Sequence, residues 1–165
     1  MSRSGILACL LCAGLIALAA VAPSAEAGVR SLDTGVSYVY DNDVAAFENV
    51  KRTGAQFVQT PVRWGDIAPK KLPAAWNPEN PADPNYDWEF TDLWVSRAVA
   101  AGLTPVLQIR GAPLWAQRCP SEETDAPCNP DPEALAAFAT AAARRYDGTF
   151  GGLPRVRYWQ GLNEP

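Results

Sequence analysis

The sequence predicts an α/β fold built on a parallel sheet, and three observations carry that prediction. Short runs of β-favouring residues alternate with stretches whose apolar residues recur at helical spacing, in the order strand, helix, strand, helix, strand, helix, strand. Such alternation calls for right-handed crossovers and therefore parallel strands. The loops after the second and third strands are longer than those before any strand, so the elaborate connections gather at the C-terminal rim of the sheet. The last stretch, Val156-Arg157-Tyr158-Trp159-Gln160-Gly161-Leu162-Asn163-Glu164-Pro165, then delivers an Asn-Glu pair to that same rim.

Gly35-Val36-Ser37-Tyr38-Val39-Tyr40 alternates as a first strand, and Asp41-Asn42-Asp43 supplies a turn and a helix cap. Val44, Phe47 and Val50 set one face of the first helix against the sheet, with Gly54 where a left-handed terminator is expected. The second strand runs from Phe57 to Trp64, with Gln59, Pro61 and Arg63 on one face because side chains alternate. Pro61 has no amide to donate to a ladder, which predicts a bulge or an early end. From Gly65 to Tyr86 the chain is a long loop held by Pro69, Pro73, Pro78, Pro81 and Pro84, a candidate cleft wall.

Asp87 is placed to cap a second helix that carries Phe90, Leu93, Trp94, Ala98 and Ala101 inward and closes at Gly102. Thr104 to Arg110 is the third strand, followed by a loop containing Pro113-Leu114-Trp115-Ala116. Asp131 caps the third helix, Pro132 takes its first position, Leu135, Phe138, Ala142 and Tyr146 form its apolar stripe, and Gly148 ends it. Pro165 stops the fourth strand, and the restriction on a residue before proline makes Glu164 project from extended backbone.

The composition, 48% hydrophobic and 19% charged over 165 residues, is that of one ordinary globular domain. A net charge of -4 without any basic run offers no grip on phosphates or acidic lipid, which argues against nucleic acid and membrane surfaces and for a neutral partner. With His at 0, imidazole bases and His-rich metal sites are closed to the chain, and carboxylates must do any acid and base work. No residue demands a metal or an organic cofactor.

Residues 1–27 have the layout of a secretory signal: Arg3, an apolar run from Ile6 to Ala22, and a small-residue cleavage site at Ala25-Glu26-Ala27. An uncleaved anchor and a lipid attached at Cys9 are the alternatives, and Pro23 with the Ala-x-Ala site favours cleavage before Gly28. The expected location is secreted, periplasmic or extracellular, with no membrane contact after cleavage. Cys9 and Cys12 leave with the signal, so Cys119 and Cys128 remain as a disulfide pair closing a small loop, worth about 2 to 3 kcal/mol.

A (β/α)8 barrel takes about 250 residues and eight strands. Residues 28–165 supply four strands and three helices and stop on an exposed sheet edge, which predicts the N-terminal half of such a barrel. A flavodoxin-like sheet of four strands would end with a covering helix.

The segments Trp64-Gly65-Asp66-Ile67-Ala68-Pro69, Tyr86-Asp87-Trp88, Pro113-Leu114-Trp115-Ala116 and Tyr158 to Pro165 resemble, in order and spacing, the clan A retaining glycoside hydrolases of family 39-like and family 5-like type. Those are (β/α)8 enzymes with an Asn-Glu pair after strand four. The resemblance implies a carbohydrate substrate, Glu164 as general acid/base, Asn163 as hydrogen-bond partner of the sugar 2-hydroxyl, and a nucleophilic glutamate after strand seven, beyond Pro165. Retaining hydrolysis needs two carboxyl groups about 5 to 5.5 Å apart, so Glu164 alone fills one role and this chain by itself is expected to be inactive. The acid role also calls for a pKa lifted by partial burial and by the second carboxylate.

Relatives often carry an arginine in strand two where this chain has Gln59. Arg63, on the same predicted face, is the substitute candidate, with a plain rim ion pair as its alternative, and Arg110 stands likewise at the tip of strand three. Of the tryptophans near strand ends, Trp115 and then Trp159 are the candidates for stacking on a sugar ring, ahead of Trp64. Trp94 is expected in the core, and Trp76 and Trp88 in loop and helix-start packing. A secreted carbohydrate-binding barrel protein that lost its chemistry is the runner-up, and it would lack the glutamate after strand seven. A barrel enzyme acting on a small metabolite would instead need phosphate-binding glycines after strands seven and eight. Oligomeric state stays open.

Overall fold

Buried residues along the second and third strands, and one buried stripe along each of the longer helices, build a single sheet with a helical layer on one side. The computed structural model describes residues 32–118 and 129–161. Its strands are β1 (Gly35–Val36), β2 (Phe57–Arg63), β3 (Thr104–Arg110) and β4 (Tyr158–Gln160), all parallel and adjacent in chain order. Neighbours in space being neighbours in sequence is the winding of a barrel wall. The helices are α1 (Val44–Arg52), the single turn α2 (Trp64–Ile67), α3 (Glu89–Ala100) and α4 (Pro132–Arg145), with a 3-10 turn at Leu114–Ala116.

The first strand is shorter than its sequence suggests. Tyr38 takes a positive φ of 61°, which turns the chain out of extended geometry after Val36. One late bond, Val39 N–H to the Gln59 carbonyl at 3.2 Å, still ties this stretch to β2. Pro61, in contrast, neither bulges nor ends β2, which stays in register with β3 from Phe57↔Thr104 to Arg63↔Arg110. The reason lies in the ladder: Phe57 N–H and Gln59 C=O both point toward the β1 side, so Pro61, two residues on, would have donated to that side as well. There β1 has already ended, and no bond is lost.

The caps form as the side chains dictate. Asp43 accepts from Ala45 N–H at the start of α1, and Asp131 accepts from Glu133 and Ala134 N–H, each at 3.0 Å, at the start of α4 with Pro132 at its first position. On α3 the expectation is met only in part: the N-cap residue is Trp88, whose side chain makes no capping bond, while Asp87, one residue earlier, accepts from Glu89 N–H at 3.1 Å. Gly54, Gly102 and Gly148 follow α1, α3 and α4 with φ of 83°, 75° and 89°, the left-handed exit that a side chain would resist.

Two helix faces differ from the expectation. Val44 is exposed on α1, whose buried residues are Phe47 and Val50. On α3 the buried stripe is Thr91, Trp94, Val95 and Ala98, while Phe90 and Leu93 face outward. Trp94 fixes that rotation, because its indole N–H donates to the Val39 carbonyl at 2.8 Å and its ring meets Phe47 edge-on at 5.4 Å.

The core fills the space between β2, β3 and the helices. Val58, Val62, Leu107 and Ile109 pack there against Phe47, Val95, Ala98 and Phe138. Phe138 lies stacked between Trp64 at 5.3 Å and Trp88 at 5.5 Å, so Trp64 is core and not a surface platform. The proline-rich loop begins as the α2 turn and is pinned along its length. Tyr86 O–H donates to the Pro78 carbonyl at 2.6 Å, Asp87 N–H to the Ile67 carbonyl at 2.9 Å, and Arg145 to the Pro81 carbonyl at 2.9 Å. Arg145 also grips Asp92 with two nitrogens while Tyr146 O–H donates to Asp92 at 2.9 Å, which binds α4, α3 and the loop into one unit.

Candidate active site at the C-terminal rim of the sheet

Strand register decides which side chains can meet on the face away from the helices. Gln59, Val106 and Tyr158 share one level, and Pro61, Gln108 and Gln160 the next. Gln59 Nε2 donates to Gln160 Oε1 at 2.6 Å, directly tying β2 to β4 across β3. Below that pair, Phe57 and Tyr158 meet edge-on at 5.2 Å. Gln108 is buried, and its Oε1 has no hydrogen-bond partner among the described residues. An unpaired amide oxygen in the middle of a polar face is costly, and it marks that face as a place built to hold polar groups.

At the rim itself Arg63 and Arg110 end β2 and β3 side by side. The Arg63 guanidinium sits over the Tyr40 ring, 5.8 Å from its centre. Tyr40, Pro61, Arg63 and Arg110 together line a cleft of about 230 Å³. A second cavity, of about 500 Å³, opens beside it between the β1–α1 loop and the N-terminal end of α3, and shares Tyr40, Pro61 and Arg63 with the first.

Arg63 therefore stands at the rim on the Gln59 face, where the sequence puts it. Trp115 stands half-buried in the turn after β3, its N–H donated to the Pro69 carbonyl at 2.8 Å and its ring edge-on to Trp64 and Trp76. Trp159 is level with the buried Leu107, so its ring lies on the helix side of the sheet, 6.2 Å from Tyr146, with its N–H toward the Val156 carbonyl at 3.3 Å. Asn163, Glu164, Cys119, Cys128 and residues 1–27 lie outside the described residues. Among the described residues no group of three His, Cys, Asp or Glu side chains is arranged to hold a metal ion.

The titrating groups that shift are not among the residues lining either cavity. Burial, reinforced by the nearby Asp92 carboxylate, pushes the Tyr146 phenol up, and burial followed by the charge of Asp83 does the same to Tyr86, so both stay protonated donors. Sequence reasoning passed over Gln108, Gln160, Tyr40 and Phe90. The period-two pattern that placed Gln59 and Arg63 on one face could have found the two glutamines, since Gln108 and Arg110 alternate in the same way on β3.

No protein-family model matches the chain, and no curated protein matches it. Two of the solved structures that resemble it illustrate the likeness. One is a family 39 glycoside hydrolase from the gut symbiont Bacteroides cellulosilyticus WH2, with TM-score 0.50 and 22% identity over 81% of this chain and 24% of that one. The other is the beta-glucosidase from Trichoderma harzianum, with TM-score 0.50 and 22% identity over 74% of this chain and 23% of that one. The chain thus spans about a quarter of the length of either. The described sheet and its helices accordingly share the α/β fold of the matching part of those two structures.

Proposed function

We propose that this chain carries the proton-donating side of the active site of a retaining glycosidase, an exported enzyme acting on O-glycosidic bonds of an oligo- or polysaccharide. The observation that supports this most is the course of β4. It runs parallel to β3, ends level with Gln108 and Pro61, and heads for the Arg63–Arg110 rim just before Asn163-Glu164 in the sequence.

In this reading Glu164 gives its proton to the departing glycosidic oxygen as a second carboxylate, from chain following Pro165, attacks the anomeric carbon and forms a glycosyl-enzyme bond. Glu164, now ionised, takes a proton from water, whose oxygen attacks the same carbon and releases the second carboxylate. Asn163 holds the sugar 2-hydroxyl, Arg63 orders the nucleophilic carboxylate, and Trp115, in the loop after β3, is the stacking candidate for the sugar ring. Trp159, packed on the helix side, supports the strand that carries Glu164.

In the full-length enzyme, Glu164→Gln should slow glycosides with poor leaving groups far more than activated aryl glycosides, because only the former need a proton. Equal losses on both would contradict the assignment. Export with cleavage before Gly28 and a Cys119–Cys128 bridge belong to the same reading. The mass of the protein recovered from outside the cell should begin at Gly28 and show no free thiol until it is reduced.

A further inference from the structure

We infer that the cavity of about 500 Å³ between the β1–α1 loop and the N-terminal end of α3 is a subsite for a neutral pyranose unit, so that the rim handles an oligosaccharide and not a simple glycoside. Its size falls among those of small-molecule sites, roughly 300 to 1,000 Å³.

Three of the exposed apolar side chains converge on it: Tyr40 at 50% exposure, Phe90 at 47% and Leu93 at 38%. The core of α3 does not need the last two, because its buried stripe is complete without them. Aromatic and aliphatic surface left facing a cavity suits the C–H face of a sugar ring. Polar groups complete the wall. Thr60 lines the cavity at 1% exposure, and its Oγ1 has no hydrogen-bond partner among the described residues. That oxygen is closed to solvent, so a sugar hydroxyl that displaces the neighbouring wall atoms would remove the deficit. Asp87 and Glu89, also on the wall, are acceptors for further hydroxyls.

Charge narrows the class. Asp66, Asp87 and Glu89 face one guanidinium, Arg63, and Asp66 is already engaged by Lys70 at 3.3 Å. A uronic acid would meet more like charge than opposite charge there. Continuity joins the cavity to the rim, because Tyr40, Pro61 and Arg63 line both spaces. The oligosaccharide part of the inference rests on the glycosidase reading, whereas the sugar-binding part stands without it.

The test is an NMR titration of the 15N-labelled chain with cellobiose, xylobiose, mannobiose and digalacturonate. At least one neutral disaccharide should give saturable shifts at Tyr40, Thr60 and Glu89 to Leu93, and digalacturonate should bind more weakly. Phe90→Ala, on an exposed side chain, should weaken that binding by about tenfold. Thr60→Val should weaken it several-fold while leaving Tm unchanged or higher, since it removes only an unpartnered hydroxyl. No saturable shift with any neutral disaccharide, shifts untouched by Phe90→Ala, or tighter binding of digalacturonate would overturn the subsite. Sugar binding that persists although the Glu164→Gln kinetics fail would remove the hydrolysis and leave the site.

Discussion

Arg145 and Asp92 are the ion pair on which the helical layer turns. Their side chains are only 14% and 22% exposed, Tyr146 completes the Asp92 carboxylate, and the guanidinium lies over the Trp88 and Phe150 rings at 5.3 and 5.0 Å. Burial opposes the charge on Arg145, and the Asp92 carboxylate more than restores it, raising its pKa. Removing one partner strands the other in a poorly hydrated place, so Arg145→Met should cost about 3 kcal/mol, read as a Tm lower by roughly 6 to 12 °C. A shift within about 2 °C would mean that the pair is screened like a surface contact.

Acid should act through other residues. Backbone N–H groups of Asn77 and Asn85 hold Asp83 below the usual aspartate range, the Ala134 N–H and Arg118 do so for Asp131, and the Thr149 N–H does so for Asp147. Each folded pKa lies below the unfolded one, near 3.9, so the folded state binds fewer protons there. Their stabilisation is full above about pH 4 and is lost as pH falls through the depressed values. Thermal melts should show Tm flat from neutral pH down to about pH 5 and falling below about pH 4. A Tm that rose on acidification would contradict this. At this scale the sequence was only partly legible: Phe90 and Leu93 fit a helical stripe as well as Thr91 and Val95 do, and the Trp94–Val39 hydrogen bond that selects between the two rotations joins residues far apart in the chain.

Among elements, the ones with chemical punctuation were readable in advance. Asp131 followed by Pro132 starts α4 because a side-chain oxygen replaces missing backbone partners, and Asp131 also receives Arg118 at 2.8 Å. Asp131→Ala should therefore lower stability by about 1 kcal/mol, with the loss concentrated in faster amide exchange over the first turn of α4. Uniform acceleration through β2 and β3 would assign the residue a global role instead. The elements that escaped sequence reading lack such marks. β1 shrinks because of a positive φ at Tyr38, a residue type that does not advertise it, and α2 is a single turn too short for periodicity to reveal. Pro61 misled in the opposite direction, since a missing donor matters only where a neighbouring strand would have accepted it.

For the whole molecule, alternation of strands and helices was enough to give the parallel order β1-β2-β3-β4, because right-handed crossovers leave few other arrangements. The candidate site was legible only in outline. Strand alternation put Gln59, Pro61 and Arg63 on one face, but the Gln59–Gln160 bond and the cavity beside Phe90 depend on strand register and helix rotation, which no local pattern encodes. In barrel enzymes the C-terminal rim of the sheet carries the active site, and in this sequence Asn163-Glu164 come shortly after β4.

The most direct test of the proposed role of Glu164 is the pH dependence of kcat/KM for the proposed glycosidase on a glycoside with a poor leaving group, before and after Glu164→Gln. If Glu164 is the proton donor, the wild type loses activity on the basic side as that group ionises, and the variant is slow with no basic limb. A variant that keeps the same basic limb would show that another group supplies the proton.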